Sequence, residues 1–553
     1  MPDRPTAGEV ATDVEIRLHR VDDRRVAVRM TTRTPASGAV VFVVPESWGG
    51  VAPCAEEIRG LRAEAADGRP LGVSRPDGRR WRVASDPGSA VTAVYELSTP
   101  DQRLRPAFGE HYRPLVTPEL FHALGPVALV SPEHLLDGAQ RWIELSWIGF
   151  DGEVLSSFSR GPDPVVVRRT FDRFRHAVFL AGDVRVRERE LQGAPLRVAL
   201  HGEQWNFTDD QFVDLAERIV RAERGFFDDW VHPPYLISLV PIGPPAELGF
   251  QFGGTGLTDS FALFMAPGAT LAPGMVGSRG VRHLLAHECF HQWNGIDIDR
   301  APPEELAYWF SEGFTEFYAR RILHREGLET VDGIVRSLNR SIRDYWTSPA
   351  RGAANDAILA GFWSDEGLRD LPYRRGDLVA TALDQAIRDH SGGARSLDDL
   401  MRSIHAAAVA RGEEVSTASL LAEFERWVAP ETATHLRGVV EDGAPIELPL
   451  RLDEPALVRT TQVTGAFEIG FDVDASREAR TLVGVLAGSA AHAAGLRDGM
   501  ALRGLTAYWN DVTKPVQVDV ETDGRVERIS YSPVRDPIDI PAYRPLEAGE
   551  VIP

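Results

Sequence analysis

Lysine is almost missing from this chain. Lys514 stands alone among 60 basic side chains, and all the others are arginine. Acidic side chains number 81, so the formal net charge is −21, with no dense basic stripe to interrupt the excess. Such a surface repels a polyanion on average, which excludes nucleic acid as a partner. Cysteine is scarce too: Cys54 and Cys289 lie far apart, and both read as reduced packing residues. Long apolar runs are lacking. Stretches such as Ala39–Pro45 fall well below the roughly 20 residues a membrane span needs. The opening MPDRPTAGEVATD lacks the apolar stretch of a secretory signal. The reading is a cytoplasmic protein without a membrane partner; a chain already trimmed of its signal would read the same and be secreted or periplasmic. Internal repeats and low-complexity tracts are also missing. What is present is ordinary for ordered globular domains, 43% hydrophobic and 25% charged over 553 residues. That length predicts two to four domains.

The pattern is multidomain α+β. From Val14 to about Ser159, short alternating segments (VEIRLHRV, RRVAVRMTTR, AVVFVVP, RRWRVAS, AVTAVYELS) are broken by Gly, Pro and Asp. They predict an N-terminal antiparallel β-domain over 1–160. Residues 161–446 form a second domain. It mixes strands (LRVALHG, YLISLVPI, FALFMAP) with an amphipathic helix at Asp209–Trp230, capped by Thr208, and turns helical from Gly277 to about Val428. A boundary segment, IELPLRLDEP, leads into a C-terminal β-domain over 447–553, in which FEIGFDV and LVGVLAG read as strands. A hairpin is expected there around Asp523-Gly524.

Chemistry concentrates in VRHLLAHECFHQW, 281–293, where His287-Glu288-Cys289-Phe290-His291 spells HExxH. Residues four apart share a helix face, so both imidazoles can reach one metal ion, with Glu288 beside them as base. A hydrolytic zinc site takes three protein ligands and keeps one position open. The third should come from PEELAYWFSEGFTEFYARRIL, where Glu312 is flanked by Trp309, Phe310, Phe314 and Phe317. A carboxylate in such company is costly unless a cation offsets it. Glu316, one turn on, could accept a hydrogen bond from His287 or His291, or pair with Arg320 on the surface. His283 is read as structural or solvent-facing, because a fourth protein ligand would close the site.

HECFHQWNG (287–295), WFSEGFTEFY (309–318) and LPYRRGDLVATALDQAIRDHSGGARSLDDLMR (371–402) resemble the glycyl aminopeptidase family, a branch of the thermolysin-like gluzincin peptidases. VPESWGG near the N-terminus and the C-terminal segment extend the resemblance over most of the chain. It implies a thermolysin-like catalytic domain with one Zn2+ per chain. The ligands would be His287, His291 and Glu312, with Glu288 as general base on a zinc-bound water. It also implies Tyr373 as a donor to the oxyanion of the tetrahedral intermediate.

The chain departs from the family in two places. Relatives carry a glutamate for the substrate's α-amino group in a Gly-rich strand. In Gly253-Gly254-Thr255-Gly256-Leu257-Thr258-Asp259-Ser260 that position is Thr258, and Asp259 is the candidate substitute. The C-terminal region resembles a PDZ domain, with Ile469, Gly470 and Phe471 matching the loop that captures a peptide carboxylate, but Gly499-Met500 stands where Gly-Asp is usual. The resemblance implies an aminopeptidase favouring glycine or alanine at the N-terminus of a peptide or protein substrate. An endopeptidase without that selectivity and a non-catalytic peptide-binding scaffold stand as alternatives.

Overall fold

The computed structural model describes residues 11–100, 110–203, 205–230, 233–243, 252–271, 280–508, 512–522, 524–547 and 550. Gly277 and Asp523, which figure in the expectations above, lie outside them. The chain divides into two compact units: Met1–Asp299 with Tyr318–Glu329 and His405–Glu413, and Arg300–Phe317 with Thr330–Ile404 and Glu414–Pro553. Among the described residues, no helix is long and apolar enough to cross a membrane.

In the first unit, strict alternation makes half-buried strands: Val14, Ile16 and Leu18 are buried while Glu15 and Arg17 are exposed. All five segments expected as N-terminal strands are strands. Their largest sheet is mixed, because Val14–Asp22 pairs in parallel with Gln140–Ile148 while its other neighbours are antiparallel. A parallel pairing needs a long crossover, and no local pattern announces one. Past the boundary expected at 160, Val165–Thr170 pairs with Gln140–Ile148 in this sheet, and Val178–Gly182 pairs with Leu120–Leu124 in a second one. Both cysteines are buried and unpaired.

His122 sits fully enclosed on the strand Leu120–Leu124, its Nε2 3.0 Å from Ser238 Oγ. Burial pushes its pKa down to about 3. The unfolded chain therefore protonates this imidazole first. Its stabilisation is whole above about pH 6.5 and is lost on acidification at about 1.4 kcal/mol per pH unit. The loss continues until the folded group titrates near 3. His122→Gln is expected to lose less stability than the wild type between pH 7 and pH 5, read from urea midpoints; equal losses would remove His122 from the pH response.

A five-stranded sheet follows, built from β1 (Arg185–Leu191), β2 (Ala194–Leu200), β3 (Tyr235–Pro241), β4 (Phe252–Leu257) and β5 (Ser260–Met265) in the order β1-β2-β3-β5-β4. Helix α1 (Asp209–Phe227) packs its buried Phe212, Leu215, Ala216 and Ile219 into the same core. A Thr208–Gln211 capping box starts it. It stops three residues before the expected Trp230, because Asp228 turns left-handed at φ 52° and donates back to the last carbonyls.

The helical region includes α2 (Val281–Phe290), α3 (Tyr308–Arg325), α4 (Val331–Thr347), α5 (Glu366–Ser391) and α6 (Pro430–Glu441), with further helices between them, among them Leu397–Arg411. It outruns the expected end at Val428, since Pro430 in the first turn opens α6 instead of ending the run. In the second unit α3 and α5 cross backbone to backbone. A Cβ on Gly376 would lie 1.8 Å from the Trp309 carbonyl oxygen, and one on Gly313 would lie 2.2 Å from Gly376 Cα.

The C-terminal strands form two sheets. One joins β6 (Arg451–Asp453), β7 (Ala456–Phe467) and a final strand, β11 (Val534–Pro545). The other joins β8 (Ala501–Thr506) to the hairpin of β9 (Val516–Thr522) and β10 (Arg525–Tyr531), in which Thr522 faces Arg525 as expected. FEIGFDV is not a strand. Strand β7 ends at Phe467, and the Asp472 carboxylate caps a helix, α7 (Val473–Ala479), by accepting from Ala475 N–H. LVGVLAG is irregular; the bridge to Ala501 is made by Thr481, just before it.

Candidate active site

Leu285, Ala286, Cys289 and Phe290 are buried along α2, and the helix presents His287 and then His291 at its C-terminal end. The two Nε2 atoms are 3.1 Å apart. His291 Nδ1 is 3.0 Å from the Asn294 carbonyl oxygen. A carbonyl can only accept, so Nδ1 carries the proton and the Nε2 lone pair is turned towards His287. Asn294 reaches that place because the chain leaves the helix here: Gly295 takes φ 146°, which a side chain would oppose. Two imidazole nitrogens on one tetrahedral zinc stand about 3.3 Å apart, so the pair has the spacing of a shared ion.

Glu312 is half-buried on α3, where Trp309, Phe310 and Phe314 are fully enclosed. His287, His291 and Glu312 each offer a ligand atom, all within 4.8 Å of one another. The donor set, two imidazoles and one carboxylate, suits zinc, which in hydrolytic sites takes three protein ligands and a water. His283, His287 and Glu316 form a second such group, and all three are buried. Glu316 is only 2% exposed, so it is not the surface carboxylate that the Arg320 pairing assumed. On α1, Glu223 is fully buried, and desolvation pushes its carboxyl well above the usual carboxylate range.

Glu288 is held by a contact the sequence did not disclose. Its Oε2 accepts a 2.8 Å hydrogen bond from the backbone N–H of Gly256 on β4. A Cβ on Gly256 would meet the Glu288 carbonyl oxygen at 2.8 Å and His291 Cβ at 3.3 Å. Only glycine lets the strand pass so close to α2; the cluster of glycines in GGTG was the available signal. Strand β4 is the edge of its sheet. The Tyr112 hydroxyl donates to the Gly254 carbonyl of that edge, while the Tyr112 ring packs against Trp48 and Gly49 of VPESWGG. Burial, then the Glu288 charge, push the Tyr112 phenol well above its usual range. Nothing in the sequence marked Tyr112.

Asp259, the candidate for the substrate's α-amino group, is engaged within the fold. It occupies the tight turn between β4 and β5 at φ 52°, is 1% exposed, and pairs with Arg169 at 2.6 Å. Its own N–H donates to Gln292 Oε1 at 2.9 Å. Enclosed and already neutralised by a guanidinium, it is not free to receive a substrate ammonium. Tyr373 lies half-buried on α5, one turn before Gly376. The helix that carries it is thus the one pressed against α3 beside Glu312.

Ile469, Gly470 and Phe471 form a loop. Gly470 adopts φ 82° and its carbonyl accepts from Leu486 N–H at 2.8 Å, while Phe471 is buried with Leu482, Ala491 and Val518. A helix, α7, follows the loop. The strand expected over FEIGFDV thus does not continue past Phe467, since the Asp472 cap turns the backbone into a helix.

Residues 280–357 match the family model of the M61 glycyl aminopeptidases. The likeness read from the sequence thus holds over the segment that carries HExxH and Glu312, and it supports a zinc aminopeptidase-like enzyme. The fold is similar to that of an aminopeptidase N family protein from Idiomarina loihiensis, at 16% identity and a TM-score of 0.66 over 95% of this chain and 97% of that one. An M1 zinc metallopeptidase from Deinococcus radiodurans aligns at 16% identity over 79% of this chain and 94% of its own, with a TM-score of 0.48.

Proposed function

We propose that the chain hydrolyses peptide bonds as a zinc-dependent aminopeptidase, with one ion held by His287, His291 and Glu312. The observation that carries this reading is the pair of facing Nε2 atoms at 3.1 Å, with His291 fixed as a lone-pair donor by Asn294. Zinc bound there supplies Lewis acidity to the scissile carbonyl and to the attacking water. Glu288 takes the proton of that water and later delivers it to the leaving amine. The Gly256 N–H steadies Glu288 by donating to one of its carboxylate oxygens. Tyr373 donates to the oxygen on which negative charge develops, a contact worth more in the transition state than in the ground state. Glu316 orients His287 from behind.

A second reading, endopeptidase action, draws support from the amine site. Position 258 is threonine and Asp259 is paired with Arg169, so no carboxylate of the GGTGLTDS segment is free for an ammonium. Free and N-acetylated tri- to hexapeptides separate the two. Loss of cleavage on acetylation supports the aminopeptidase; equal cleavage of both forms overturns it in favour of the endopeptidase.

A further inference from the structure

Among the described residues, strand β7 has an open edge. On one side it pairs with β11 along its length; on the other β6 covers only Ala456–Val458. Pro541 and Pro545 of β11 stand opposite Thr461 and Leu457. Proline has no N–H, so these are the positions at which the two strands exchange no bonds. Odd-numbered residues of β7 therefore turn their backbone groups away from β11. Arg459 shows it directly, since its N–H donates to Leu450 O at 2.9 Å. The next two in that series are Thr461 and Val463. Among the described residues no strand pairs with them on this side.

Proteins blunt exposed edges with charge, proline or a bulge. Here a bulge comes only after Thr464, and the open stretch Thr460-Thr461-Gln462-Val463 is uncharged and suited to a strand. Thr460 and Thr461 border a cavity of about 960 Å3. Asp389, Glu431, Glu447 and Asp539 line it against Arg459 and His435. Asp389 is partly offset by Arg451 at 3.3 Å, and the Arg459 side chain is engaged by the Leu448 carbonyl. The groove stays net acidic. Val463, opposite Asp539, is 62% exposed and offers an apolar contact beside it.

We infer that this edge binds an extended basic segment of a polypeptide by strand addition. The backbone of Thr461 and Val463 supplies the pairing bonds, and the carboxylates select lysine and arginine at alternate positions. This site lies on β7 itself, apart from the Ile469–Phe471 loop.

The test is fluorescence anisotropy on the full chain carrying Glu288→Gln, so that no probe is consumed. The probes are a labelled decapeptide alternating valine with lysine and its valine–glutamate counterpart. The basic probe is expected to saturate, and the acidic one is not. Thr461→Pro deletes an outward N–H while leaving the β11 bonds intact, and should weaken binding at least about tenfold. Glu431→Lys with Asp539→Lys should weaken it comparably without touching the backbone, which keeps the test alive if the proline variant unfolds. Binding equal in all variants, or no saturation by the basic probe, overturns the inference. So does concentration-dependent dimerisation abolished by Thr461→Pro, which would assign the edge to a second copy of this chain.

Discussion

Glu288→Gln is expected to lower peptide hydrolysis by about 10²–10⁴-fold, the range a positioned acid–base group contributes, while the bound zinc stays near the wild-type amount. The two effects separate because the side chain is not one of the three donors. Glutamine keeps an oxygen that can still accept from Gly256 N–H at the position where Glu288 Oε2 now accepts at 2.8 Å. The local geometry is therefore retained and only proton transfer is lost. Metal analysis and single-turnover rates on the same preparations check it. Zinc lost together with activity would mean that Glu288 holds the ion, and unchanged turnover would remove it as the base. His287→Ala and Glu312→Ala should show the opposite pattern, with metal content falling first, because each deletes a member of the donor group.

Gly376→Ala is expected to cost about 3 kcal/mol of stability, at the upper end for overpacking a core. The methyl has no flexible neighbour to displace. It meets the Trp309 carbonyl oxygen at 1.8 Å and Gly313 Cα at 2.8 Å, all backbone on two packed helices. Relief requires α3 and α5 to move apart, and Glu312 adjoins Gly313 on α3. Zinc affinity should therefore fall as well, in a variant that alters no donor. Denaturation midpoints and competition with a chelator measure the two losses. Unchanged affinity in a destabilised variant would show that the crossing supports the fold without setting the position of Glu312.

Where chemistry is written into local spacing, the sequence was legible. HExxH put both imidazoles on α2, and the aromatic run around Glu312 marked a carboxylate that needs a cation. Alternation found the N-terminal strands, and Thr208 found the start of α1. Most of what it missed shares one cause: a partner distant in sequence. Asp259 read as an available carboxylate because Arg169 lies 90 positions away and pairs with it only in the folded chain. Tyr112 was silent for the same reason, and Gly256 showed only as one glycine of GGTG, since their roles exist only where Tyr112 meets Gly254 and where β4 passes α2. FEIGFDV read as a strand because its alternation outweighed a single capping aspartate.

The sequence by itself determined the reactive groups, their helical spacing, the acidic surface and the enzyme class they point to. These depend on neighbours within a turn or two, whose geometry the backbone fixes wherever the segment lies. Tertiary structure decided which tautomer His291 adopts, what steadies Glu288, that Asp259 is already spent on a guanidinium, and that one edge of β7 stays open. Each rests on desolvation or hydrogen bonding between chain segments that meet only on folding, and no local pattern encodes such a meeting.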